Sequence, residues 1–136
     1  MDNKAVYSVL NYGKLYEGEN ITEEQKWTNT ETVQTALDTV GTNGGGTVLI
    51  PEGIYCLNGH QESGDVPGYP ENTDTACLYI CYSNITLSGS GMNKTFIRTP
   101  GEYKIVKNRN GEDTVQRVHG IRIMPLKGSK ELLTNI

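Results

Sequence analysis

Arg117, His119 and Arg122 place a titratable ring between two fixed cations near the end of the chain. Histidine titrates near neutral pH and serves as general base or acid, while arginine pairs with a carboxylate through its planar fork. The trio therefore suits proton transfer on an anionic substrate. The same residues suit a turn histidine before an inward strand, with solvent-facing arginines beside it, and that arrangement needs no chemistry. The one other histidine, His60, sits in a polar run, and neither has the context that Ser-His-Asp or Cys-His catalysis requires. Glu62, Asp65, Glu71 and Asp74 supply the oxygen ligands that Ca²⁺ prefers, but their spacing departs from an EF-hand loop. Cys56, Cys77 and Cys81 form an odd set without CxxC spacing. On an extended strand Cys77 and Cys81 stand about 13 Å apart, too far for a disulfide, so buried free thiols are expected.

Charge narrows the partners. The 136 residues carry a net charge of -4, which offers no attraction to nucleic acid or an anionic membrane. An acidic polysaccharide would be repelled too, unless cations gather locally. Lys94, Arg98, Lys104, Lys107, Arg109, Arg117, Arg122, Lys127 and Lys130 all lie in the last third. That skew fits a polyanion groove and equally fits solvent-facing strand positions. No run approaches the roughly 18 apolar residues of a spanning helix. The first residues have no apolar stretch of a signal peptide, so export by another route or delivery in a phage particle is expected, with an extracellular or virion location.

The element that must position everything else is residues 28–57. Val33, Ala36, Leu37 and Val40 fall at i, i+3, i+4 and i+7, an inward apolar stripe on a helix over 28–41. Thr28 with Glu31 reads as its capping box and Gly41 as its C-terminal cap. Gly44-Gly45-Gly46 then turns the chain into short β-branched runs at Val48–Ile50 and Ile54–Leu57, joined by a Pro51-Glu52-Gly53 corner. One short amphipathic helix has no core of its own, so it is expected to plug the open end of a sheet structure. Upstream, Thr22 with Gln25 forms a second capping box, expected to start an extra helical turn ending at Trp27. Trp27 is either a lid over the core or a sugar-stacking platform.

Tyr12-Gly13, Val33-Gln34-x-Ala36-Leu37, Gly44-Gly45-Gly46-Thr47-Val48-x-Ile50-Pro51-x-Gly53-x-Tyr55 and Ser83-Asn84-Ile85-Thr86-Leu87-Ser88-Gly89-Ser90-Gly91 form a string of motifs. It resembles the N-terminal region of the pectate lyase superfamily, which includes rhamnogalacturonases, polygalacturonases, alginate epimerase modules and phage tailspikes. The resemblance implies a mainly β fold, a right-handed parallel β-helix with an N-terminal capping α-helix. It departs from the family before the helix, where the usual Ala-x-Gly-Asp-Gly and Asp-Asp-Thr give way to residues 14–30.

Later residues fit coils of such a solenoid. Ala76–Cys81, Ile85–Ser88 and Thr95–Arg98 are strands separated by corners, with Ala76, Leu78 and Ile80 expected on one face and Cys77, Tyr79 and Cys81 on the other. Tyr103–Lys107 and Thr114–Val118 flank Asn110-Gly111, a hairpin turn. Residues 58–75 form a long loop. Residues 1–136 thus read as the N-terminal part of a single β-helix domain, with the first coils over 76–136 and the last edge uncovered. That edge is expected to belong to a truncated β-helix, or to be covered by another chain, as in a homotrimer.

The resemblance implies a polysaccharide partner and a hydrolase, lyase or epimerase of pectin or uronan type. The paired carboxylates of polygalacturonases are not assembled, however. None of their motifs is expected, neither Asn-Thr-Asp nor adjacent Asp-Asp nor Gly-His-Gly, of which His119-Gly120 is only half. No catalytic set is therefore expected within the chain, with His119, Arg117 and Arg122 as the residual candidates and no cofactor beyond a possible Ca²⁺. The alternative is a non-catalytic β-helix of a phage tail spike or surface adhesin.

Overall fold

The computed structural model describes residues 5–59, 75–100, 104–107, 110–116, 118–126 and 129–136. Its strands are β1 (Val6–Ser8), β2 (Gly46–Leu49), β3 (Gly53–Cys56), β4 (Thr75–Ile80), β5 (Ile85–Ser88), β6 (Thr95–Arg98), β7 (Lys104–Lys107), β8 (Asp113–Gln116) and β9 (Val118–Ile123), with one helix, α1 (Glu23–Thr42). The fold is mainly β. Three stacks are parallel, β1-β2-β5, β3-β6 and β4-β9, and β7-β8 is an antiparallel hairpin turned at Asn110-Gly111.

The parallel registers share nearly one period. Gly46 pairs with Ile85, Gly53 with Thr95 and Thr75 with Val118, offsets of 39, 42 and 43 residues. Offsets this close across three stacks place β5, β6 and β9 on β2, β3 and β4, each strand on its counterpart in one successive layer. A third layer is entered at the end of the chain. Asn84 and Asn135 both adopt positive φ, 64° and 59°. The Asn84 N–H donates to the Thr134 carbonyl and the Asn135 amide to Asn84 Oδ1, each at 3.0 Å. Gly45 holds the matching corner one layer above at φ +99°, where a Cβ would run into the Asn84 carbonyl oxygen.

α1 is longer than the expected 28–41 and begins at the other capping box. Thr22 accepts from the Gln25 N–H at 3.1 Å, and the Gln25 side chain accepts from the Thr22 N–H at 2.9 Å. Thr28 lies inside the helix, its hydroxyl spent on the Glu24 carbonyl. Both threonines meet the same local pattern, and an uninterrupted helix uses only the first. Gly41 is also internal, because the reversal comes at Gly44 and Gly45, both at φ +99°. What Gly41 supplies is room: a Cβ there would lie 2.5 Å from the Tyr82 ring.

Val33, Ala36, Leu37 and Val40 are buried as expected, packed in one core with Val48, Ile50, Leu57, Leu78, Ile80 and Ile85. The alternation expected along β4 does not hold. Cys77 joins Leu78 and Ile80 in the main core, whereas Ala76 clusters with Tyr79 and Cys81. The Tyr79 hydroxyl reaches back to accept from the Ala76 N–H at 3.1 Å, which gathers Ala76 to the tyrosine side.

α1 also buries polar residues, and they explain how it meets the strands. Asn29 accepts from the Tyr16 N–H at 2.6 Å and donates to the carbonyls of Tyr16 and Cys56 at 2.9 and 3.0 Å. Gln34 accepts from the Tyr79 N–H at 2.8 Å and donates to the Tyr79 carbonyl at 2.9 Å. Thr30 exchanges two 2.8 Å bonds with the Asn58 backbone, and Thr32 donates to the Lys14 carbonyl at 2.8 Å. An unpaired buried backbone group costs about 1–3 kcal/mol. These side chains do for the strand edges what a neighbouring strand would do.

Candidate functional site

β9 carries two of the three candidate residues. Along it His119 is in register with Ala76 and Arg122 with Tyr79; Arg117, one residue before the strand, lies outside the described residues. Arg122 is half-buried and partnered within the protein. Its charge falls on the Tyr79 phenol, whose pKa burial raises while the Ala76 N–H and Arg122 oppose that rise. Tyr79 stays a neutral phenol, 2% exposed, and has no route to act as a base on a polymer in solvent. Arg122 thus acts electrostatically on a phenol of the neighbouring strand.

The described surface also holds a groove of about 400 Å³ lined by Gly41, Thr42, Gly44, Tyr82, Ser83, Asn84 and Glu131. Three pieces build it: the end of α1, the corner between β4 and β5, and the last residues of the chain. Tyr82 lies against the bare Gly41, its phenol pushed up first by burial and then by Asp38 and Cys81. Hydroxyls, an amide and one carboxylate make a lining able to hydrogen-bond a hydroxyl-rich group. It has no acid and base pair with which to break one.

All three cysteines are free and buried, as expected, and burial pushes the Cys77 thiol up to about 12 and the Cys81 thiol to about 11. Among the described residues no group of three or more His, Cys, Asp or Glu is placed to hold a metal ion. The carboxylates considered for Ca²⁺, Glu62, Asp65, Glu71 and Asp74, lie outside the described residues, as does His60. So does Asn72-Thr73-Asp74, which corrects the expectation that no Asn-Thr-Asp triplet of the polygalacturonase type is present. Trp27 is half-buried on α1, and Arg98 forms a 2.8 Å ion pair with Glu19.

No family model matches the chain. Curated relatives come from Azotobacter vinelandii. Mannuronan C5-epimerase AlgE1 is 29% identical over 133 residues, 94% of this chain and 8% of the relative. Alginate lyase 7 is 28% identical over 130 residues, 92% of this chain and 13% of the relative. Among solved structures, the A-module of mannuronan C-5 epimerase AlgE6 superposes with a TM-score of 0.55 at 26% identity, over 88% of this chain and 24% of that one. The A-module of AlgE4 gives 0.50 at 29% identity, over 69% of this chain and 20% of that one.

The chain is homologous to these modules. It spans less than a quarter of the length of each of these relatives. The relatives are uronan-active enzymes by name, which fits the expected polysaccharide partner. It does not favour the tail-spike or adhesin alternative, and nothing in the comparisons supports the homotrimer.

Proposed function

We propose that residues 1–136 are the opening section of a right-handed parallel β-helix that acts on a uronate polysaccharide, mannuronan or alginate, by C5 epimerisation or β-elimination. In this reading α1 caps the first coil, and the catalytic set is carried outside these residues. The observation that carries it is the homology to mannuronan epimerase A-modules along 88% of the chain, joined to a two-layer winding with one edge closed by helix side chains. Both reactions begin with removal of the proton beside the uronate carboxyl group, which needs a cation on the carboxylate and an exposed base. The Arg122 charge acts on the buried Tyr79 phenol, which burial keeps neutral. In this reading residues 1–136 position and close the fold, and the cation and base come from elsewhere in the protein.

The test is a chimera in which residues 1–136 replace the aligned segment of the AlgE6 A-module. Circular dichroism checks folding, and proton NMR of polymannuronate follows the product. The chimera is expected to form guluronate or unsaturated ends, and the chain alone to form neither. A folded but inactive chimera would remove the uronan assignment. Turnover by the chain alone would return catalysis to Arg117, His119 and Arg122.

A further inference from the structure

Asparagine is followed by glycine three times, at Asn43-Gly44, Asn58-Gly59 and Asn110-Gly111. Such a pair can cyclise, because the glycine amide nitrogen is able to attack the carbonyl carbon of the asparagine side chain. Glycine favours the attack: no Cβ shields its nitrogen, and its backbone turns freely. The fold treats the three pairs differently.

Asn58 is 3% exposed, and Gly59 is buried after it. Its side-chain nitrogen donates to Glu23 Oε2 at 2.8 Å, and the Thr30 hydroxyl holds both its N–H and its carbonyl at 2.8 Å. Rotation of the side chain onto the next nitrogen is blocked, and hydroxide is shut out. Asn43 is exposed but caps α1, its N–H donating to the carbonyls of Thr39 and Gly41. The Gly44 N–H, which would have to attack, donates to the Gly41 carbonyl at 3.3 Å, and the Gly45 N–H to the Val40 carbonyl at 2.9 Å. Asn110, Gly111, Glu112 and Asp113 are all exposed at the turn of the β7-β8 hairpin, with Gly111 at φ +76°. Asn110 has a partner within the protein, but at an exposed position water competes for that interaction.

We propose that Asn110 is a spontaneous modification site, at which the folded chain converts asparagine to a mixture of aspartate and isoaspartate. The Gly111 nitrogen gives its proton to hydroxide and bonds to Asn110 Cγ. The side-chain nitrogen takes up a proton and leaves as ammonia, which closes a five-membered succinimide. Water then opens the ring at either carbonyl, so that one water is consumed, one ammonia is released and no atom changes oxidation state. The product adds a negative charge beside Glu112 and Asp113, on a chain already at -4. In isoaspartate the main chain runs through the side-chain methylene, which lengthens the turn that sets Lys107 opposite Asp113. This inference is independent of the uronan reading.

The test holds the intact chain in mildly alkaline buffer over days, with samples digested and read by mass spectrometry at each of the three pairs. Isoaspartate methyltransferase labels the rearranged product. Asn110 is expected to convert about tenfold or more faster than Asn43 and Asn58, which must first open locally. In urea the three rates should come within about threefold of one another, since the fold no longer separates them. Asn110→Gln should remove the labelled product from the turn and leave the circular dichroism of the chain unchanged. Asn43 or Asn58 keeping pace with Asn110 in the folded chain, Asn110 staying amidated there while it converts in urea, or the same tenfold ranking persisting in urea would each overturn the proposal.

Discussion

The two boundaries of this winding face the same difficulty, strand edges with unpaired N–H and C=O groups, and treat it in opposite ways. Along the first layer α1 lays Asn29, Thr30, Thr32 and Gln34 on the backbone of residues 14–16, 56, 58 and 79. Along the second, Ile121 and Ile123 continue the core into solvent and the strands have no described outer neighbour. A helix has no backbone donors to spare in its middle turns, so it closes an edge only through side chains that imitate a peptide. Carboxamides and threonine hydroxyls are the side chains that can do this without burying charge. The second layer carries the aliphatic Ile121 and Ile123 there instead.

Substitutions at the closed edge should be the costly ones. Asn29→Ala strands the Tyr16 N–H and carbonyl and the Cys56 carbonyl at a site fully shut off from water. A loss of about 4 kcal/mol in urea unfolding is expected. Gln34→Leu keeps most of the volume but abandons both backbone groups of Tyr79, at a cost of about 3 kcal/mol. Equal stability of these two variants and the parent would mean that the edge is not closed by the helix. Gly41→Ala drives a methyl against the Tyr82 ring. Overpacking outweighs the gain in helix propensity, and about 1–2 kcal/mol is lost; tyrosine near-ultraviolet dichroism would register the displaced ring.

Smaller effects are expected where solvent already reaches. Thr22→Ala removes the acceptor for the Gln25 N–H at the start of α1 and should cost about 1 kcal/mol. Thr28→Ala, inside the helix, should cost less, and the pair of thermal melts separates the two threonines as helix starts. Ile123→Lys, on the open edge, should change the stability of the chain alone by less than about 0.5 kcal/mol. A large loss there would mean that the second layer is already covered.

The closed edge was half legible in the sequence. Apolar periodicity located Val33, Ala36, Leu37 and Val40, because burial of aliphatic groups leaves a pattern in the residue types themselves. Asn29, Thr30, Thr32 and Gln34 left none, since each is a residue type usual on a wet surface and their partners are backbone atoms 13 to 45 positions away. The helix start was obscured for a related reason: Thr22-x-x-Gln25 and Thr28-x-x-Glu31 are equivalent locally, and the choice rests on Asn29 and Thr30 docking as helical residues. In the candidate site, the histidine and arginines could be picked by chemistry, but not the buried phenol that feels the Arg122 charge. The groove beside Tyr82 depends on a glycine, a corner and the end of the chain meeting, which no short stretch encodes.

The asymmetry of the two edges can be measured residue by residue. Amide hydrogen exchange, followed by NMR on the intact chain, compares the Tyr16 and Tyr79 N–H groups, held by Asn29 and Gln34, with the β9 N–H groups that face away from β4. The account predicts that the first two are protected to near the global unfolding limit and that the outward β9 amides exchange at once. Tyr79 exchanging as fast as the outer edge of β9 would contradict it, because the side chains of α1 would then not be closing the first layer.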